Sequence, residues 1–271
     1  MTEPLPPLLL IGCGKMGGAM LAGWLEQGLP ADSVVVEPNA VATQAFAGRV
    51  RLVAGIGDIP AGFKPPAIIL ATKPQEAPAV LPLLVHLTAG APVFISIMAG
   101  RNIAGMRAAL GDAARVVRAM PNTPAAIRQG FTVACAGPGV DAAQHALTTR
   151  LLTAIGEAAW VEDEALIDPV TAVSGGGPAY VFLLAELMEA AAIAQGLPPN
   201  LARRMARATV SGSGNLLAAS DLPAATLRQN VTSPKGTTER ALNVLMAPDA
   251  WPAIMHEAIA AATARSRELG G

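Results

Sequence analysis

Residues 8–20, LLLIGCGKMGGAM, constrain the fold of this chain more tightly than any other stretch. An apolar run stops at Gly12, and glycines follow at Gly12, Gly14 and Gly17, just where a helix is due to begin. Glycine in a helix costs about 1 kcal/mol relative to alanine, so three of them at a helix entrance need a steric reason. A strand turning sharply into a helix supplies one. Gly12 permits the tight turn, Gly14 keeps the backbone bare for close approach, and Gly17 lets helix and strand pack together. The first N–H groups of the helix, which have no intrahelical partner, then face whatever lies on the turn.

The spacing G-x-G-x-x-G is weak by itself. A chain rich in glycine and alanine produces it by chance, and a plain strand-to-helix turn has the same sequence. Its context is stronger: SVVVE at 33–37 reads as the next strand, and Glu37 closes that strand twenty positions beyond Gly17. Strand, glycine turn, helix, strand and terminal acid are the parts of a dinucleotide site, with the pyrophosphate on the helix start. An acid at this point accepts hydrogen bonds from a ribose 2′-hydroxyl and repels a 2′-phosphate, which points to NAD rather than NADP. A Glu37 that is only a solvated strand end, or an Arg49 or Arg51 folded back onto it, leaves the choice of NAD or NADP open.

Along the chain, eight segments read as strands: LLLIG, SVVVE, VRLVA, AIILAT, VFISIMAG, RVVRAMP, GFTVACA and AAWVED. The first, fourth and fifth are apolar on consecutive residues, as strands buried on both faces of a parallel sheet are. Helical segments such as 16–27 and 103–110 lie between them. Strands alternating with helices predict βαβ units and an α/β, doubly wound Rossmann-type sheet over residues 1–164. From 165 to 271 strand signals stop, and the pattern predicts an all-helical domain with helices over 178–195, 199–219, 224–229, 236–246 and 252–269. Prolines near several of these starts suit the first helical turn. The segment AYVFLLAELMEAAAIA is apolar around nearly its whole circumference, so it needs cover on all sides. A second subunit is the expected cover, giving a dimer through this half.

Bulk composition narrows the partners. The chain has 271 residues, 52% hydrophobic but only 3% aromatic, so its core is aliphatic. Nineteen basic against 20 acidic residues, without a basic run, argue against nucleic acid or an anionic membrane as partner. Cys13 and Cys135 have no metal-type spacing and read as reduced thiols of a cytoplasmic protein; no metal site is expected. The N-terminal residues lack the positive start of a signal peptide. The uncharged stretch between Glu76 and Arg101 is long enough to span a bilayer at roughly 20 residues. Pro78, Pro82, Gly90 and Pro92 divide it, however, into a short helix, a turn and a buried strand.

Further motifs extend the reading: ILATKPQ at 69–75, RAMPNTPAAIRQG at 118–130, VSGGGPAYVF at 173–182 and QNVTSPKGTTERAL at 229–242. Together with IGCGKMGGAM they resemble the pyrroline-5-carboxylate reductases, nearly end to end and in order. That resemblance implies reduction of a cyclic imine, L-1-pyrroline-5-carboxylate, to L-proline by NADP or NAD in reduced form, the last step of proline biosynthesis. It implies that Ile11, Gly12, Cys13, Gly14, Lys15 and Met16 hold the pyrophosphate. It also implies that Ala71, Thr72, Lys73 and Pro74, with Ala99 and Gly100, line the cofactor cleft. Asn230, Ser233, Gly236, Thr237 and Thr238 would form the substrate site, and the helical domain would be an interlocked homodimer, often assembled into larger rings. Two positions depart from the family pattern. Lys235 stands where S-P-G-G-T-T has its first glycine, and Gly176 stands where S-G-S-G-P-A-Y has its second serine.

The chemistry is consistent with an imine. Carbonyl reduction recruits a placed proton donor, most often histidine, and His86, His145 and His256 all lie outside these motifs. An imine nitrogen takes its proton from water, so a hydroxyl bonded to it and correct placement suffice; Thr238 is the candidate hydroxyl. The substrate carboxylate would sit on the N–H groups opening the helix at 236–246, with Ser233 and Thr237 as added donors. Two rivals remain. A β-hydroxyacid dehydrogenase shares the glycine loop but uses a lysine on a helix of its second domain, and Lys15, Lys64, Lys73 and Lys235 supply none there. A non-catalytic nicotinamide sensor would have no use for the SPKGTT segment.

Overall fold

The computed structural model describes Pro4–Gly270; Met1–Glu3 and Gly271, the outer ends of the two expected domains, lie outside the described residues. The chain forms two compact units, Met1–Gly175 with Ala262–Gly271, and Gly176–Ala261. The helices that begin near residue 165 therefore start inside the first unit.

The first unit is built on the strands β1 (Leu9–Ile11), β2 (Val34–Val36), β3 (Arg51–Val53), β4 (Ala67–Leu70), β5 (Val93–Ser96), β6 (Arg115–Met120), β7 (Gly130–Ala136) and β8 (Gly156–Val161). They form one sheet in the order β3-β2-β1-β4-β5-β6-β7-β8. All pairs are parallel except β6 with β7. The exception has a simple cause: Pro121–Gln129 is shorter than the dozen or so residues a parallel crossover needs. The helices of this unit are α1 (Lys15–Glu26), α2 (Ala40–Thr43), α3 (Ala77–Val80), α4 (Ile103–Leu110), α5 (Ala142–Thr153) and α6 (Ile167–Val170).

Both faces of the sheet are covered, which is why β1 and β4 are apolar at every position and β5 at all but its last, Ser96. Leu10, Val35, Ile69 and Ile95 face a core closed by Met20, Leu21 and Trp24 of α1 and by Leu151 and Leu152 of α5. Leu9, Ile11, Ile68, Leu70 and Phe94 face the other, closed by Leu84, Ile103, Met106 and Leu110. Burying each such side chain contributes about 1.5–3 kcal/mol. The Trp24 indole N–H, buried with the rest of its ring, donates to the Leu151 carbonyl at 2.8 Å. The uncharged stretch before Arg101 is α3, 3-10 turns over Leu81–Gly90, and β5, so its prolines divide it as expected.

The second unit contains α7 (Gly177–Ala194), α8 (Pro199–Ala218), α9 (Ala224–Asn230), α10 (Thr237–Leu245) and the first part of α11 (Trp251–Gly270). α8 buries Ala202 and Ala206, small residues that permit close helix packing, whereas α7 buries no residue. Phe182 is 68% exposed and Leu187 55%. The continuous helical stretch Glu164–Ala194 is long and apolar enough, at a mean hydropathy of 1.4, to cross a membrane by length and composition. The architecture is thus a doubly wound α/β sheet followed by an all-helical part.

Candidate active site

The glycine turn follows β1, which lies between β2 and β4 where the strand order reverses. At such a switch point the loops leaving adjacent strands diverge and open a crevice. Gly12 sits there at φ +91°, and a Cβ on it would meet the Ala71 carbonyl carbon at 2.8 Å and the Thr72 nitrogen at 2.9 Å. A Cβ on Gly17 would fall on the Gly12 carbonyl oxygen. These two contacts explain why neither position takes a larger residue. Gly14 is different: it is the N-cap of α1, no side chain caps it, and the space where its Cβ would project is open. The start of α1 is therefore bare backbone facing free space, a cradle that fits a diphosphate and needs no side chain to hold it.

The loops around this turn are held by backbone bonds. Gly12 N–H donates to Val36 O at 2.9 Å and Ala71 N–H to Ile11 O at 2.8 Å, which sets Ala71–Pro74 beside the glycines. The Thr72 hydroxyl points to Met98 Sδ at 3.6 Å. Arg101 donates twice to the Pro74 carbonyl, at 3.0 and 2.8 Å, and so ties the loop after β4 to the loop after β5, where Ala99 and Gly100 lie. Gly100, at φ +67°, lies against Leu269 near the end of α11. Glu37 lies just past β2. Its Oε2 accepts from Cys13 N–H at 2.8 Å and its Oε1 from Asn39 N–H at 2.9 Å. Burial, reinforced by the Glu37 charge, pushes the Cys13 thiol up to about 11, so it stays protonated at neutral pH.

Three arrangements here escaped sequence reasoning. Arg118, 5% exposed, bonds Glu164 at 3.1 Å and Asp168 at 3.5 Å. Glu164 in turn accepts from the first N–H of α4 at 2.8 Å, and Asp168 from the Ser266 hydroxyl at 2.8 Å. This network fixes the helix that follows Ala99–Gly100. Asn122 of the MPNTP motif donates to Ser174 of the SGGGP motif. Between Asp168 and Gly176 the helix widens into a π turn, Thr171–Gly175, a local distortion frequent at functional sites. Only Arg118, a charge in the middle of the otherwise apolar stretch after Arg115, signalled any of this.

In the second unit, Asn230 ends α9, and the chain turns through Ser233, whose carbonyl accepts from Gly236 N–H at 3.0 Å. Gly236 is the N-cap of α10 and no side chain caps it. Ser233, Thr237 and Thr238 are all exposed beside this uncapped start. Lys235 adopts φ +62°, and its N–H donates to Glu239 Oε2 at 2.9 Å. The histidines lie elsewhere: His145 stacks on Trp160 at 3.8 Å, His86 is in the Leu81–Gly90 turns and His256 is on α11. Among the described residues no group of three or more His, Cys, Asp or Glu could hold a metal ion.

Comparison with known proteins agrees with this geometry. Residues 164–269 match the family model for pyrroline-5-carboxylate reductase dimerisation, and residues 8–100 match that for NADP oxidoreductase, coenzyme F420-dependent. The pyrroline-5-carboxylate reductase of Pseudomonas aeruginosa is 38% identical over 97% of both chains. That of Synechocystis is 35% identical over 96% of this chain and 97% of its own. Among solved structures, the Coxiella burnetii pyrroline-5-carboxylate reductase superposes with a TM-score of 0.90 at 30% identity, covering 98% of this chain and 99% of that one. The Plasmodium falciparum enzyme, solved with NADP bound, superposes at 0.85 with 25% identity over the whole of both chains. On the strength of relatives of 30% identity or more along almost its full length, this chain belongs to the pyrroline-5-carboxylate reductase family.

Proposed function

We propose that the chain reduces L-1-pyrroline-5-carboxylate to L-proline, taking hydride from NADH or NADPH, and that residues 1–164 bind the dinucleotide while 165–271 bind the imine and dimerise. The observation that carries this reading is the start of α10, whose N-cap Gly236 has no side-chain cap and beside which Ser233, Thr237 and Thr238 are exposed. An anion is favoured at such a place by the helix dipole and the unpaired donors together. The substrate is a carboxylate with one basic ring nitrogen, so it needs that anion site and one hydroxyl. Ser233 and Thr237 hold the carboxylate with the α10 N–H groups, Asn230 borders the turn, and Thr238 hydrogen-bonds the ring nitrogen. Hydride reaches the carbon of the C=N bond, and the nitrogen carries the proton it took from water.

The cofactor, when bound, supplies the hydride; the cradle at Gly12–Gly17 fits its diphosphate. Lys15 and Met16 open α1 beside that cradle, and Ala71–Pro74 with Ala99–Gly100 border it. The lysine-dependent rival is disfavoured because α7 to α11 contain no lysine. We also place the protein in the cytoplasm as a homodimer, with larger rings built from dimers. The uncovered apolar face of α7 supports a second copy as cover rather than a membrane, since it lies within the residues matched by the dimerisation model. The test is direct: mix the protein with pyrroline-5-carboxylate and NADH or NADPH, and follow the absorbance of the reduced nicotinamide. No oxidation with either cofactor at high enzyme concentration overturns the assignment.

A further inference from the structure

We infer that Glu37 makes this enzyme select NADH over NADPH, because its carboxylate is fixed where a 2′-phosphate would lie. The inference rests on the dinucleotide reading above and adds the choice of cofactor to it. Val36 ends β2 and Glu37 follows, anchored by its own N–H on Val53 O at 3.0 Å. The carboxylate is then held at both oxygens, Oε2 by Cys13 N–H at 2.8 Å and Oε1 by Asn39 N–H at 2.9 Å. Each oxygen keeps a second lone pair, so a ribose 2′-hydroxyl has acceptors waiting. A 2′-phosphate brings close to two negative charges to the same place. Glu37 cannot simply swing aside, because Cys13 is 2% exposed and its N–H would be left buried without a partner.

The sequence left open whether an arginine offsets this charge, and the sheet register answers it. Arg51 pairs with Val34, at the opening end of β2, whereas Glu37 lies beyond the closing residue Val36. Arg49 precedes Arg51 and acts on the charge of Glu26, at the far end of α1 from the glycine turn. Both arginines thus start from the opening end of β3, whereas the Glu37 carboxylate beyond the closing end of β2 is held by Cys13 and Asn39. From Pro38 to Gly48 the chain has no lysine or arginine. Past the end of β3 stands a second acid, Asp58, whose Oδ2 accepts from Gly55 N–H at 3.0 Å. Lys15 opens α1 beside the diphosphate, a group that both cofactors share.

The test compares kcat/KM for NADH and NADPH with pyrroline-5-carboxylate saturating, in the parent, Glu37→Gln and Glu37→Ser. The parent is expected to favour NADH by at least about tenfold, a difference of 1.4 kcal/mol. Glu37→Gln removes the charge but keeps an acceptor, and is expected to narrow the ratio mainly through a lower KM for NADPH. Glu37→Ser, with no carboxylate and more room, is expected to narrow it further. Equal or better use of NADPH by the parent overturns the inference, as does a ratio unchanged in both variants. Calorimetric titration of the parent with NADH and NADPH, without imine, supplies the same comparison should a variant misfold. It also separates the two readings, since preferential NADH binding without imine reduction would sink the proposed reaction and leave the role of Glu37 standing.

Discussion

Asn122 Nδ2 and Ser174 Oγ are 3.2 Å apart across 52 residues of sequence, and the other end of the same amide, Oδ1, accepts from Phe131 N–H at 2.9 Å. One side chain thus joins the turn leaving β6, the start of β7 and the π turn ahead of α7. Asn122→Ala removes the acceptor of a part-buried backbone N–H and the donor to Ser174. Leaving such groups unpaired costs about 1–3 kcal/mol. Urea unfolding should show a loss of that size, with Asn122→Asp intermediate because it keeps the acceptor. An alanine variant as stable as the parent would show that the stitch contributes nothing.

Lys235 presents a different prediction, one of gain. At φ +62° an L-residue with a Cβ is strained by about 1–2 kcal/mol, while glycine is at home there but loses more backbone entropy on folding. The balance favours Lys235→Gly by about 0.5–1 kcal/mol. Its backbone N–H, and hence the bond to Glu239, is untouched by the change. A higher midpoint in thermal or urea unfolding is the expected result. A lower midpoint would mean that the lysine side chain itself makes a stabilising contact larger than the strain.

How much of this was visible beforehand depends on how local each cause is. The strands β1, β4 and β5 were legible because burial on both faces forces consecutive apolar residues, and the glycine turn was legible because its spacing between strand and helix is local, although Gly12 presses on Ala71 and Thr72 far along the chain. The Arg118 cluster was not, since its partners Glu164 and Asp168 lie 46 and 50 residues on, and Ser266 a further 98 beyond Asp168. The reversal of β7 and the π turn also came unannounced. Both follow from how short segments fit between fixed neighbours, which no periodicity records. At the turn before α10 the sequence named the departure at Lys235 but not its left-handed backbone.

Arg128 grips the end of α1: its Nε and Nη2 meet the two oxygens of Glu26 at 3.0 and 2.7 Å. The hydrogen bond from Arg128 holds the Glu26 carboxyl below its ordinary value of 4.5, with the Arg128 and Arg49 charges adding to the effect. A carboxyl depressed in the folded state contributes stability that is present above the unfolded value and lost as pH falls through the folded one. The parent should therefore lead Glu26→Gln in unfolding midpoint at neutral pH, and the lead should shrink as pH drops below 4.5. Because the Glu26 side chain is largely exposed, salt should shrink it too. A lead that is constant across this range, or absent, would remove the ion pair from the account.

Thr238 carries the sharpest functional prediction. It lies in the first turn of α10, exposed, one residue past Thr237 and two past the N-cap Gly236. If its hydroxyl hydrogen-bonds the imine nitrogen, the bond matters most when that nitrogen is becoming an amine, so its loss should fall on kcat more than on KM. Thr238→Ala is expected to lower kcat by about a hundredfold, the lower end of the range for a lost transition-state hydrogen bond. Thr238→Ser, which restores the hydroxyl, should recover most of the rate, while Thr238→Val, which keeps the shape, should not. Dinucleotide affinity measured without imine should be the same in all four proteins, since the glycine turn is in the other unit. A normal rate for the valine variant would show that shape, and not the hydroxyl, is what this position contributes.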